Sequence, residues 1–343
     1  MPNIKVKDVS KYFGRVKALA HVDLEIREGE YVVLLGPSGC GKTTLLKIIS
    51  GILQPSTGTI HIAGRDMTLL PPEDRDIGFL FQNYALFPHL SALDNAAYGP
   101  IARGGNPDKA RRVAADMLEL VHLKGREGAL PRELSGGMQQ RLAMARALTT
   151  GSKLMFLDEP TNALDAHIRV ELRTELRRMA KKLGLTVVHV THDQEEAMAL
   201  ADKIVIMKNG QVLQVGTPSD VYHKPSSPFV ASFLGGANFL RVKFTKGKAM
   251  LLGHELRTKL HGEFVAVIRP ENLRFSHSGT KVEVISSRSY GPFYRYDVDC
   301  DGVRLQIRTT HKYEETDRIT FSQKNVLYFK EPEEGLEKSL GIE

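Results

Sequence analysis

Apolar residues in the first two thirds of the chain come in short dense runs, separated by stretches with helical spacing. The runs at 31–35, 153–157 and 186–190 are nearly continuous, the pattern of strands buried on both faces. Between the last two, Ile168, Leu172, Leu176, Met179 and Leu183 recur at helical spacing, and Gly184 follows as a stop. Residues 203–214 predict a hairpin, because Asn209-Gly210 suits a type I′ turn. Strand runs alternating with helical runs predict an α/β domain with a largely parallel sheet. The segment 84–134 interrupts that rhythm. It is mostly helical in pattern, with a helix start at Asn106-Pro107 and Val113, Met117, Leu120 and Val121 on one face, and it reads as a helical insertion.

The pattern changes near 234–238, where Gly235-Gly236 follows a helical stretch. Beyond it the strand-like pieces are short and broken by Gly, Asp and Pro: 241–244, 264–268, 282–285, 294–298 and 303–307. They predict a small all-β domain, an OB-like barrel or a sandwich. The expected division is 1–235 and 236–343, with no internal repeat and no low-complexity tract.

Composition adds bounds. The chain has 343 residues, room for two domains, with 25% charged and 42% hydrophobic residues, as in ordinary globular proteins. The first ten residues alternate charged and apolar and lack the basic start and apolar core of a signal peptide. No apolar run approaches the roughly 20 residues that span a bilayer. A membrane role is therefore expected to come through a partner. Two cysteines, Cys40 and Cys300, are too few for a disulfide scaffold and fit a reducing cytosol. The net charge of +7 is spread along the chain without a basic block, which favours solubility over a polyanion-binding stripe.

Chemistry enters at Gly36-Pro37-Ser38-Gly39-Cys40-Gly41-Lys42-Thr43, which fits G-x-x-x-x-G-K-[ST] between an apolar strand and a helical run that begins with Thr44. Glycines at 36, 39 and 41 let backbone N–H groups wrap phosphate oxygens, with Ser38, Cys40 and Thr44 in the same cradle, and the helix adds its positive end. Lys42 supplies a mobile charge to the β- and γ-phosphates, and Thr43 a hydroxyl ligand for Mg²⁺. Downstream, an apolar strand ends in Asp158-Glu159. Asp158 is placed to hold Mg²⁺, and Glu159 to orient or deprotonate an attacking water. Cys40 sits near Lys42 and a helix N-terminus, surroundings that lower a thiol pKa; the alternative is a small space-filling residue.

Leu134-Ser135-Gly136-Gly137-Met138-Gln139-Gln140-Arg141 lies before Asp158. Together with the motifs above it resembles the signature of ATP-binding cassette ATPases, over the whole first domain. The resemblance implies site roles position by position. Gln82, in Phe81-Gln82-Asn83-Tyr84, would sense Mg²⁺ and the γ-phosphate and link the site to the helical insertion. His192 would be the switch histidine on the γ-phosphate, and Asp165 would cross between subunits. Phe13 would stack on adenine, with ordinary core as its alternative. Met138 stands where glutamine is the more familiar residue, but Ser135, Gly136 and Gly137, whose hydroxyl and backbone would meet the γ-phosphate, are intact. The implied working unit is a head-to-tail homodimer in which the Lys42 loop of one copy and the Ser135 loop of the other sandwich ATP and Mg²⁺.

Val267-Ile268-Arg269-Pro270-Glu271-Asn272 resembles the Arg-Pro-Glu element in the C-terminal β-domain of importer ATPases, although Arg269 and Glu271 could simply form a surface ion pair. Those importers serve polyamines, iron(III), sulfate or thiosulfate, molybdate, phosphonates and some sugars. The tail looks short beside the sugar members, which favours a polyamine, iron(III) or a small oxyanion. The resemblance implies separate integral membrane permease subunits and, indirectly, a periplasmic or extracellular solute-binding protein. It places the chain peripherally on the cytoplasmic face of the inner (cell) membrane, with no nucleic acid as partner. The C-terminal domain would be regulatory or accessory. A sugar importer ATPase, or a non-transport cassette ATPase acting on nucleic acid or the ribosome, is the alternative.

Overall fold

Period-two alternation opens the chain. In β1 (Ile4–Phe13) the side chains of Ile4, Val6 and Val9 are buried while Lys5 and Lys7 face outward. It pairs antiparallel with β2 (Val16–Ile26). Next come β3 (Tyr31–Leu35), α1 (Lys42–Ile49), β4 (Thr57–Ile62), β5 (Arg65–Asp66) and β6 (Ile77–Leu80). The helical insertion then supplies α2 (Ala92–Ala102) and α3 (Pro107–Leu120), and α4 (Gly136–Thr149) follows it. The main layer resumes with β7 (Leu154–Asp158), α5 (Ala166–Leu183), β8 (Thr186–Thr191), α6 (Gln194–Leu200), β9 (Lys203–Lys208) and β10 (Gln211–Gly216). The computed structural model describes residues 3–161, 166–313, 317–333 and 335–340, with the side chains at 166–168 and 171 outside the description. Two compact units result, Met1–Val221 and Tyr222–Glu343.

In the first unit a four-stranded sheet, β2-β1-β4-β5, is antiparallel, and a six-stranded sheet runs β10-β9-β3-β8-β7-β6. In the larger sheet β9, β3, β8, β7 and β6 are mutually parallel and only β10 runs against them. One apolar core joins Ile4, Ile26 and Ile60 of the smaller sheet to Leu34, Phe156 and Val190 of the larger, with Leu45, Leu46 and Ile49 of α1 in the same cluster. The β9–β10 hairpin turns at Asn209 and Gly210, both at positive φ (49° and 76°), as the type I′ turn demands. Gly184 likewise closes α5 at φ 61°.

The insertion differs from its expected packing. The buried stripe of α3 is Ala110, Ala114 and Leu118, continued by Val121, while Val113 is exposed. Alanines let helices approach closely, so the small residues and not the large ones mark the inward face here. Asn106 caps α3 by accepting from the Lys109 N–H, with Pro107 at the first position, as the sequence predicts.

The connection α7 (Pro218–His223) leads to α8 (Pro228–Phe233) and then to strands. These are β11 (Asn238–Phe244), β12 (Lys248–Leu251), β13 (His254–Arg257), β14 (Gly262–Ile268) and β15 (Leu273–Lys281), followed by β16 (Glu283–Ser289), β17 (Tyr294–Cys300), β18 (Val303–Thr309), β19 (Arg318–Phe321), β20 (Val326–Phe329) and a final α9 (Leu336–Leu340). The described pairings form small antiparallel sheets, β11-β14-β20, β12-β13, β15-β19 and β16-β17-β18. Phe244, Leu256, Ile268, Phe275, Tyr296, Ile307 and Ile319 share the main core of this β-rich unit, and Ala231, Val265, Val267 and Leu336 form a smaller second cluster.

Candidate functional site

Parallel strands deliver their loops to one end of a sheet, and ligands of open α/β sheets bind beyond the carboxyl ends of the strands. Here β3, β8, β7 and β6 are adjacent, and their carboxyl ends carry, in that order, the phosphate loop, Thr191-His192-Asp193, Asp158-Glu159 and Phe81-Gln82. Four segments far apart in sequence are thereby brought to one edge.

The loop between β3 and α1 is held by close backbone contacts. A Cβ on Gly36 would lie 2.3 Å from the Met207 carbonyl oxygen, and one on Gly41 (φ 102°) 2.7 Å from that of Ala18. Ser38 and Gly39 are exposed at the tip. Lys42 is 5% exposed, and its ammonium donates to the carbonyls of Gly36 (2.8 Å) and Pro37 (2.9 Å). Thr43 Oγ1 donates to Asp158 Oδ1 at 2.9 Å, so the two proposed metal ligands already touch. Burial pushes the Asp158 carboxyl above its ordinary range, against the lowering effects of the Thr43 hydroxyl, Lys47 and Lys42.

Glu159 leaves β7 with φ 47°, a left-handed conformation that strains a residue with a Cβ. Its N–H donates to the Val190 carbonyl, tying the turn to β8. Its carboxylate accepts from Gln82 Nε2 at 3.2 Å and stands 3.6 Å from His192 Nδ1. Gln82, Glu159 and His192 therefore form one cluster beside the Thr43–Asp158 pair. Hydroxyl and carboxylate oxygens are hard donors, and this set suits Mg²⁺, which takes one or two protein oxygens and leaves other positions to phosphates and water. Among the described residues no group of three or more His, Cys, Asp or Glu could hold a metal by itself.

Other expected residues sit apart from this cluster. Ser135 caps α4, its hydroxyl accepting from the Met138 N–H at 3.4 Å, and Gly136 and Gly137 form the first turn. Phe13 is 48% exposed at the end of β1 with Lys11 Nζ 5.3 Å from its ring centre, which removes the ordinary-core alternative. Asp165 lies outside the described residues. Cys40 is buried, its sulfur 2.7 Å from where a Gly36 Cβ would stand. Burial pushes its thiol up, outweighing the pull of Lys42. That is the opposite of an activated thiol and supports the packing alternative.

One supporting residue escaped sequence reasoning. Arg146 of α4 donates to the carbonyls of Tyr84 and Ala85, each at 2.7 Å, holding the turn after Gln82 where both residues have positive φ (60° and 47°). It ties the helix that starts at Ser135 to the Gln82 loop. Its only signal was a cation within an apolar helix.

The ABC transporter family profile matches residues 19–162. The sulfate/thiosulfate import ATP-binding protein CysA 2 of Chromobacterium violaceum is 48% identical over 73% of this chain and 68% of its own length. The Fe(3+) ions import ATP-binding protein FbpC of Agrobacterium fabrum is 39% identical over 94% of this chain and 96% of its own. The spermidine/putrescine import ATP-binding protein PotA of Acidothermus cellulolyticus is 43% identical over 80% and 76%. Among solved structures, a dimeric ATP-binding cassette in a post-hydrolysis state bound to ADP and Pi matches with a TM-score of 0.57 and 35% identity, over 63% of this chain and 98% of that one.

Proposed function

The chain belongs to the ABC transporter family as an importer-type ATP-binding protein, and from that premise we propose that it drives uptake of a polyamine, iron(III) or a small oxyanion through a separate permease. Relatives named for three different solutes match at similar identity, so the proposal is for this group of solutes. The observation that carries the chemistry is the convergence of Thr43–Asp158 and Gln82–Glu159–His192 beside the Lys42 loop.

Each residue then has a task. Lys42 exchanges two carbonyl partners for phosphate oxygens. Thr43 and Asp158, with Gln82 nearby, would hold Mg²⁺, which would neutralise developing phosphate charge. Glu159 orients and deprotonates the attacking water, and His192 contacts the γ-phosphate. The strained backbone of Glu159 fixes its carboxylate where Gln82 and His192 reach it. Phe13 is exposed as an adenine platform. Ser135, Gly136 and Gly137 start a helix whose free N–H groups and dipole favour an anion, and act on the ATP held by a second copy. Asp165 completes that contact. ATP favours the closed homodimer because it touches both copies only there, and loss of the γ-phosphate opens it. The ATPase domain proposed at 1–235 and the accessory β-domain proposed after 236 divide near the boundary of the two compact units, which falls between Val221 and Tyr222. The chain works on the cytoplasmic face of the membrane, with a solute-binding protein upstream.

The test is affinity capture. Glu159→Gln protein with ATP should retain one or two multi-span proteins from detergent-solubilised native membranes. Capture of only ribosomes or nucleic acid would overturn the import assignment while leaving the ATPase chemistry.

A further inference from the structure

Behind the cluster lies a buried carboxylate that the chemistry above does not use. Glu196, on α6, is 1% exposed. Its Oε1 accepts from the Thr161 hydroxyl at 2.9 Å and its Oε2 from the Thr191 hydroxyl at 2.6 Å. Thr161 follows Glu159 by two residues, and Thr191 immediately precedes His192. A single carboxylate thus bridges the turn that carries the proposed base and the turn that carries the proposed switch histidine.

The bridge is anchored on every side. The Thr191 oxygen also accepts from the Asp193 N–H at 3.0 Å, and Asp193 Oδ1 caps α6 by accepting from the Glu196 N–H at 3.0 Å. Arg173 of α5 pairs with Asp193, and its Nε lies 3.9 Å from Glu196 Oε1. From the β3 side, Tyr31 OH meets His189 Nδ1 at 2.9 Å, and His189 Nε2 faces Glu196 Oε2 at 3.7 Å. Burial holds His189 on the neutral side. His189 Nε2 is buried without a hydrogen-bond partner, so its approach to the carboxylate is a contact and not a bond. Tyr31 lies on the strand that feeds the phosphate loop.

Burying a carboxylate carries a desolvation penalty, and an apolar side chain of similar volume would pack as well. What the carboxylate alone provides is direction, because it accepts two hydroxyl protons at fixed angles and so sets the rotamers of two threonines in different loops. We infer that Glu196 is a positioning residue for hydrolysis, holding the Glu159 and His192 turns in register through Thr161 and Thr191. The inference rests on the proposed roles of Glu159 and His192.

The experiment compares steady-state ATP hydrolysis by Glu196→Ala, Glu196→Gln, Thr161→Val, Thr191→Val and the double valine variant in the full chain, below each variant's Tm. Glu196→Ala should lower kcat by about 10–100-fold with KM for ATP within about twofold, as expected for misplacement without loss of binding. Glu196→Gln, which still accepts from one threonine and donates to the other once that hydroxyl turns, should recover most of the rate. The double valine variant should be little worse than the slower single one, because both hydroxyls act through one carboxylate. Normal kcat in Glu196→Ala, or equal slowing in Glu196→Gln, overturns the inference. If Glu196→Ala does not fold, normal kcat in the double valine variant overturns it. Glu159→Gln run in parallel separates the two levels. A fast Glu159→Gln removes the underlying site reading, whereas a slow Glu159→Gln beside normal Glu196 and valine variants removes only the positioning role.

Discussion

The two units each bury a cation to the same degree, 5% exposed, and use it in opposite ways. Lys42 in the first holds two loop carbonyls with a compact head on a flexible stem. Arg269 in the second spreads a planar fork over the carbonyls of Ala231, Leu234, Gly236 (2.9 Å) and Tyr222 (2.9 Å), with the Tyr222 ring 4.3 Å away. The first arrangement is exchangeable, since an ammonium can trade carbonyls for phosphate oxygens by rotating a few bonds. The second is a knot of four carbonyls on the two terminal nitrogens, with buried Nε unpartnered, because the rigid guanidinium cannot release one carbonyl without straining the others. Arg269 is therefore no surface ion pair with Glu271. That carboxylate accepts from Tyr222 OH and pairs with Arg308 at 2.9 Å. A buried charge with exchangeable partners marks chemistry, and one with a fixed set of partners marks architecture.

Substitutions break this contrast in order of size. Glu159→Gln should slow hydrolysis by about 10²–10⁴ while ATP still binds, as read by single-turnover assay and fluorescent-nucleotide titration. Lys42→Ala should weaken ATP binding by about 10²–10³, the worth of two lost charge-assisted hydrogen bonds, and leave the melting of both units nearly unchanged. Arg269→Ala should do the reverse. It strands carbonyls and costs the second unit about 2–4 kcal/mol by urea unfolding, with kcat per active site retained.

A finer test uses Asp158. Its raised pKa means that folding favours the protonated form, so this group's contribution to stability is greatest below the ordinary carboxylate range and is lost as pH rises through the raised value. Asp158→Asn removes that loss. Without nucleotide its Tm should exceed that of the parent at pH 7 and approach it in acid, while Mg²⁺-dependent hydrolysis disappears; an unchanged Tm at pH 7 would contradict the desolvation argument. Smallest in effect, Cys40 should react with N-ethylmaleimide at pH 7.5 more slowly than a free thiol, because burial outweighs the attraction of Lys42.

Legibility also differs within the first unit. The large parallel sheet was plain in the runs around 31–35, 153–157 and 186–190. The smaller antiparallel sheet was not read from the sequence, because the charged–apolar alternation of the first ten residues, interrupted by register shifts, says nothing of its partners, which begin at Val16 and Thr57. In α3, reading by side-chain size favoured Val113 over Ala110 and Ala114, because a pattern of large residues does not record how close a neighbouring helix will come. Arg146 and Glu196 carry no motif, and their importance comes only from which loops lie within reach.

By itself the sequence determined the phosphate loop, the acidic strand end, the signature helix start and the β-rich tail, since each is set by spacing within about ten residues and by local backbone demands such as glycine at positive φ. Only tertiary structure decided that the ends of β3, β6, β7 and β8 meet and that Thr43 touches Asp158. It alone decided that Cys40 is sealed, that Arg269 is a knot and that Glu196 joins two loops. Burial and pairing depend on residues distant in the chain, and desolvation, which raises or silences a charge, has no signature until they arrive.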